Sequence, residues 1–411
     1  DDTTTTYYVS TQREGLKALS NPNSSYMFSA KPNLTAFDFA SLDTQLSTDM
    51  SYMFYKSYNL KTIDVSSFKV DNVKDMTYMF GTDTTSSSQY MKLTSVNFGD
   101  NFNTSNVETF FAMFRNCRSL PSVDVTNFDV SSATSIGRMF DQCRVLTTVG
   151  DLTNWDVSNV EDMSIVFQRC QLLTSIGDVS DWDLSSAKTI SYLFSYCTSL
   201  NNIDVSDWET SGIELMRCVF QDCQAMTTID VSKWDTSSCT DMAFLFNNCI
   251  NVEELDVSGF DTKNVTNFST MFQYCEKIKK LDVSGWDTSS CTDMSYMFNN
   301  CINLVDMDAS GFDTSSVTSF NSMLQECNNL NEFSVKDWNT SNIEDMSFMF
   351  YKLTKWTSMD FENWDVRKVK NFDHFMTHST NLANYDVSKW EVTSACTNLS
   401  AMFHSTNATV I

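Results

Sequence analysis

The sequence predicts an α/β repeat solenoid, with one short strand and one short helix in each repeat of about 26 residues and about 15 repeats in all. Three observations predict it. The stretch LDVSGWDTSSCTDMSYMFNN at 281–300 recurs, degraded to different degrees, almost from end to end. The phenylalanine of its Met-Phe pair is a marker, running through Phe28, Phe54, Phe80, Phe114, Phe140 and on to Phe403, with Leu324 and Met376 standing in at two repeats. Its steps are 26 residues in ten of fourteen intervals, 27 in three and 34 in one. Within a repeat, apolar spacing changes from the two of a strand to the three or four of a helix.

The repeat that follows Phe298 shows each element in turn. Met307 and Ala309 alternate on one face, as in a strand. Val317, Phe320, Met323 and Leu324 make the stripe of a short helix, preceded by Thr314, Ser315 and Ser316 as caps for its free N–H groups. A helix of about two turns is marginal alone, and a single strand has nothing to pair with. Stacking resolves both, because each apolar column then becomes a continuous core.

Residues 1–25 are expected to form a cap or edge segment, with an edge strand over 3–9 and a short helix over 13–19. Residues 26–408 read as a single solenoid, and 409–411 as an open C-terminal end. An open stack of edges is a template for another chain, so head-to-tail self-assembly is one expectation there. A tail that frays or folds back is the other. The run GTDTTSSSQY after Phe80 reads as a surface loop. Gly150 and Gly177 each add one residue before a strand aspartate, as a β-bulge would.

Hydrophobic residues make up 42% of the chain, enough for a core and too many for wholesale disorder. With only three prolines and ten glycines, Asn, Asp, Ser and Thr must turn the corners. No run of eighteen apolar residues exists, so no membrane span is expected. The net charge is −25 with no basic cluster along the chain, which argues against nucleic acid and anionic membranes. Cations, basic proteins and neutral glycans remain as partners. The start at Asp1 without a Met reads as a processed chain or a piece of a longer one.

Four columns carry candidate chemistry. Nine cysteines follow the marker by three residues, from Cys117 to Cys327. They read as a buried ladder of small hydrophobes, with stacked disulfides or a metal ladder as alternatives. Aspartates at the outward strand position, among them Asp178, Asp204, Asp230, Asp256, Asp282 and Asp308, form a file of carboxylates that runs from Asp38 to Asp386. This acidic face is the candidate site for a basic partner or for calcium, with a solvated surface as the plain alternative. A second acidic file, including Asp235 and Asp287, is expected to make Asx-turns. The aromatic column, including Trp155, Trp234 and Trp338, reads as core, and Trp356, off that column, as an exposed ring.

His374, His378 and His404 are the only histidines and a candidate metal site, with no acidic third ligand in view. Glycosylation sequons stand at Asn23, Asn33, Asn103, Asn264, Asn267, Asn339, Asn398 and Asn407. No nucleophile elbow, phosphate loop or HExxH occurs, and polar positions that repeat do not make a unique constellation. The chain therefore reads as a non-enzyme; the competing reading is a hydrolase or metalloenzyme built on the three histidines.

The wording LDVSGWDTSSCTDMSYMFNNCINL resembles the 26-residue repeat of the BspA-like leucine-rich-repeat surface proteins. Leu304, Met307, Ala309 and Phe312 resemble the LxxLxLxxN frame, with an aromatic residue in place of Asn. The resemblance implies a leucine-rich-repeat-like fold and an extracellular or cell-surface scaffold for adhesion, binding protein or glycan ligands. A structural subunit of an extracellular filament is the second expectation.

Overall fold

A computed structural model describes residues 17–35, 39, 41–84 and 86–407, in two compact units, Asp1–Ile203 and Asp204–Ile411. The edge strand expected over 3–9, most of the helix expected over 13–19, Asp38 and the open end at 409–411 lie outside the described residues. The solenoid expected over 26–408 spans both units.

In both units the repeats stack as coils, with the marker phenylalanines in file. In the first, Phe54, Phe80, Phe114 and Phe140 stack at centroid distances of 5.5, 5.4 and 5.5 Å. In the second, Phe220, Phe246, Phe272 and Phe298 stack at 5.9, 5.8 and 5.6 Å. All are buried. The repeat solenoid is therefore present in each unit.

The short helix is not. Among the described residues no helix occurs, and the segment around each marker is a run of turns. In the repeat of Phe298, the N–H of Met297 donates to Met294 O, that of Asn299 to Tyr296 O, and that of Cys301 to Phe298 O. The alternate N–H groups leave the coil: Tyr296 donates to Asn321 O (2.8 Å), Phe298 to Met323 O (3.0 Å) and Asn300 to Gln325 O (2.8 Å). Tyr296 and Asn300 stand at φ 57° and 60°. Each is the third residue of a four-residue turn, the place where a type II turn needs positive φ. A right-handed helix cannot contain such residues. Val317, Phe320, Met323 and Leu324 are all buried as expected, so consecutive turns produce the same spacing as a helical stripe.

The strands are shorter than alternation suggested. In the first unit β1 (Ala18–Leu19) pairs in parallel with β2 (Leu42–Asp43), and β3 (Thr62–Asp64) with β4 (Ser95–Asn97). The end of the segment expected to be helical at 13–19 is thus strand. Elsewhere the strand position shrinks to single parallel bridges, such as Lys280 with Asp306. At this position Asp282 Oδ1 accepts the N–H (3.2 Å) and hydroxyl (2.7 Å) of Ser284, as Asp64 at the end of β3 accepts the N–H of Ser66 (2.9 Å). A second line of single bridges joins Asp241, Asn267, Asp293, Ser319 and Asp345 at the entry to the turns.

The cysteines are free thiols, and they do more than fill space. Cys143, Cys170, Cys275, Cys301 and Cys327 each donate a thiol hydrogen bond of 3.1–3.2 Å to the marker carbonyl of the preceding coil. Ser57 and Ser379, in the same column, donate to Phe28 O and Phe350 O at 2.8 and 2.6 Å. The tryptophan column is core, as expected, except for half-buried Trp390, and Trp234, Trp286 and Trp338 donate Nε1–H to a carbonyl one coil back at 2.9, 3.1 and 3.0 Å.

Trp356 corrects its expectation. It is buried and donates to Leu330 O at 3.1 Å, because it stands six residues after the marker, in the leucine column of Leu304 and Leu330. Gly150 and Gly177 stand at φ 91° and 92°, and a Cβ there would meet Thr126 Oγ1 at 2.4 Å and Asp151 Oδ1 at 2.2 Å. The two added residues therefore fit only as glycine.

Candidate binding site

The acidic column is solvent-exposed in both units: Asp178 in the first, and Asp204, Asp230, Asp256, Asp282 and Asp308 in the second. Each carboxylate is held by its own chain. Oδ1 accepts the N–H of the residue two places on, at 3.0 Å from Ser206, 3.1 Å from Ser232, 3.0 Å from Ser258 and 2.9 Å from Ser310. Hydroxyls of Ser180, Ser206, Ser232, Ser258 and Ser284 add a second bond of 2.7 Å. These donations hold the Asp230, Asp256 and Asp282 carboxyls below the usual carboxylate range, the serine hydroxyl foremost; for Asp204 the backbone N–H of Ser206 leads. Within the second unit the carboxylates of Asp204, Asp230, Asp256 and Asp282 also repel along the file. The arrangement is a row of carboxylates fixed through Oδ1, with no hydrogen bond to their Oδ2 atoms among the described residues. Lys233 and Lys280 lie beside it, paired with Asp207 (2.5 Å) and Asp306 (3.6 Å). The second acidic file makes the expected Asx-turns: Asp235 and Asp287 take the N–H groups of Ser237 and Ser289 at 2.9 and 3.0 Å.

Among the described residues no three His, Cys, Asp or Glu side chains gather where they would share a metal ion. His374 pairs with Asp373 (2.6 Å) and stacks on Phe348 (4.8 Å), while His378 and His404 meet edge to face at 5.5 Å. The sequon residues Asn23, Asn33, Asn103, Asn264, Asn339 and Asn407 are exposed. Asn267 and Asn398 are half-buried, and their Oδ1 atoms cap the N–H groups of Ser269 (2.9 Å) and Ser400 (3.0 Å).

Two features escaped sequence reasoning. Tyr26, Tyr52 and Tyr78, two residues before their markers, stack at 4.7 and 5.3 Å, and Tyr55 meets Tyr52 edge-on at 5.1 Å. The wording Tyr-Met-Phe was the available signal. The second corrects the expectation of no basic cluster. Five of the chain's eight arginines fall between 115 and 169, and coil stacking gathers them on the first unit. Arg115 donates Nε–H to Asp141 at 2.8 Å and a second N–H to Tyr78 Oη at 2.6 Å, and Arg138 reaches Asp141 at 3.4 Å. Asp141 is buried, and burial pushes its carboxyl up despite these cations. Among the described residues its Oδ1 has no hydrogen-bond partner. Arg118 and Arg144 occupy one column in successive coils, and Arg169 lies one coil further.

Residues 22–151, 89–171, 139–229, 216–332 and 303–410 each match the DUF285 family, described as Mycoplasma protein of unknown function. The chain belongs to this family. No curated protein matches this DUF285 chain. Solved structures similar to it include a leucine-rich repeat protein of Bacteroides ovatus, at 14% identity and a TM-score of 0.31 over 94% of this chain and 86% of that one. A leucine-rich cell surface protein of Faecalibacterium prausnitzii is similar at 13% identity and a TM-score of 0.31, over 88% and 80%. The functional domain of InlJ from Listeria monocytogenes, whose description includes a cysteine ladder, is similar at 16% identity and a TM-score of 0.22, over 72% and 55%. Among the described residues no helix is long and apolar enough to cross a membrane.

Proposed function

We propose that this DUF285 chain is a non-enzymatic scaffold at the cell surface that binds a basic protein segment along its acidic column. One observation carries the reading: Asp204, Asp230, Asp256 and Asp282 are exposed, mutually repelling, and fixed by their own serines. Neighbouring unit charges about 5 Å apart repel by roughly 1 kcal/mol even in water. A chain carrying lysines at matching intervals relieves that repulsion, and the carboxylates need no reordering to receive it. The resemblance of the repeat wording to BspA-like surface proteins supports placement outside the cell.

The test is binding of a lysine-rich peptide by titration calorimetry to the whole chain and to a variant carrying Asp230→Asn, Asp256→Asn and Asp282→Asn. Asparagine keeps the turn-forming oxygen, so the fold is retained. The variant is expected to bind at least about tenfold more weakly, with a shallower salt dependence. Unchanged affinity, or no binding by the parent chain at 50 mM salt, overturns the reading.

A further inference from the structure

The arginine group on the first unit lies outside the acidic column and does the opposite chemistry. Arg115 and Arg138 are spent on Asp141. Arg118, Arg144 and Arg169 form no ion pair with a carboxylate among the described residues. They are nonetheless held in place. Arg118 lies over the ring of Tyr90 (5.5 Å) and donates Nε–H to Asn116 Oδ1 at 2.6 Å. Arg144 donates to Gln142 Oε1 at 2.9 Å, and Arg169 lies over the ring of Tyr196 at 5.1 Å. The backbone ladder sets the register, since Asn116 N–H donates to Asp141 O and Gln142 N–H to Gln168 O.

We propose that Arg118, Arg144 and Arg169 form a binding site for a sulfated polysaccharide chain. The three belong to consecutive coils, Arg118 and Arg144 in one column and Arg169 two positions before it, so their backbones are spaced by about one strand repeat, ~4.8 Å, along the stacking direction. A ligand that answers such a row is linear and carries anions at short, regular intervals. Guanidinium forks bind tetrahedral oxyanions through paired N–H···O bonds, and a sulfate ester is ionised at every physiological pH. Side chains already packed on Tyr90, Tyr196 and their own amides lose little freedom on binding. Burial, and then the like charges of Arg144 and Arg169, lower the affinity of Arg118 for its proton, so an arriving anion relieves an existing repulsion. Size decides between polyanions. A bilayer or a nucleic acid duplex would also face the rest of a chain of net charge −25, whereas a slender glycan touches the row alone.

The test is fluorescence anisotropy of the full chain with a labelled sulfated oligosaccharide of defined length, its desulfated counterpart, and phosphatidylserine vesicles. The sulfated chain is expected to bind, with affinity falling steeply as salt rises, and the other two are not. Arg144→Gln should weaken binding about fivefold or more, and the triple variant with Arg118→Gln and Arg169→Gln should abolish it. Arg367→Gln, in the other unit, should change nothing. Arg144 reaches only its own Gln142 among the bonds described, so the single variant decides the matter if the triple one fails to fold. Equal binding of the desulfated chain, vesicle binding without glycan binding, or full affinity in a folded Arg144→Gln variant each overturns the proposal. None of these outcomes touches the acidic column, whose variants lie in the second unit.

Discussion

Cysteine in this chain supplies a hydrogen as well as bulk. Cys301 is fully buried, and its thiol bonds Phe272 O at 3.1 Å. Ser57 and Ser379 place a hydroxyl in the same bond, so sulfur itself is dispensable at that point. Most coils place a small donor in this column, although Leu353 fills it with neither a small side chain nor a donor. Cys301→Ser is therefore expected to unfold in urea within about 1 kcal/mol of the parent. Cys301→Val keeps the volume and apolarity but has no donor, and is expected to cost about 1–2 kcal/mol more than the serine variant. If valine proves the more stable of the two, the ladder is simple packing and the thiol hydrogen bond contributes nothing.

The turn run is the element on which each repeat depends, and it is strained. Nearly every coil has two residues at positive φ in its turn run, none of them glycine: Phe244 and Asn248, Thr270 and Tyr274, Tyr296 and Asn300 hold it in successive coils. Each costs on the order of 1–3 kcal/mol, offset by alternate N–H groups bonding the next coil and by the stacked rings between them. Ile165, at φ 65°, is β-branched and half-buried, so its backbone strain is poorly matched by its packing. Ile165→Asn is expected to raise stability by about 1 kcal/mol, read as a higher midpoint in urea. A lower midpoint would show that the isoleucine side chain contributes more than its backbone costs. Such positions also explain where sequence reasoning stopped. The period, the buried columns and the Asx-turns were legible, because burial and turn chemistry recur at fixed offsets. The turns themselves were not. Val317, Phe320 and Met323 have a spacing shared by a helix and by successive turns, and no glycine marks Tyr296 or Thr270 as left-handed. Trp356 shares its residue type with the tryptophan column but its offset with the leucine one, and the offset decides its burial. The arginine row was invisible because neighbours on the surface are 26 residues apart in the chain.

Charge acts on the molecule as a whole, and it sets a pH optimum away from neutrality. At pH 7 a net charge of −25 opposes any compact form, since unfolding moves like charges apart. Acidification toward the pI of about 4.3 removes that repulsion. The fold is not lost in the process, because serine donors keep carboxyls such as Asp230, Asp256, Asp282 and Asp287 below their ordinary value of 3.8. A group whose pKa is lower when folded contributes stability above its unfolded value, and that stability disappears as pH falls through the folded one. Thermal stability is therefore expected to rise from pH 7 to about pH 4.5 and to fall steeply below 3.8. The alkaline side works in reverse. Burial pushes the thiols of Cys275 and Cys327 up to about 12 from an ordinary 9.0, so they stay neutral in the fold while unfolded thiols ionise. Their contribution is intact below pH 9 and is lost as pH rises toward 12. Differential scanning calorimetry across this range, at 20 mM and 500 mM sodium chloride, separates the causes. Salt should lift the pH 7 value toward the pH 4.5 value by screening repulsion, and leave the fall below 3.8 in place, because the Asx bonds are local. A pH 7 midpoint that salt does not move would mean that self-repulsion is not what limits this protein.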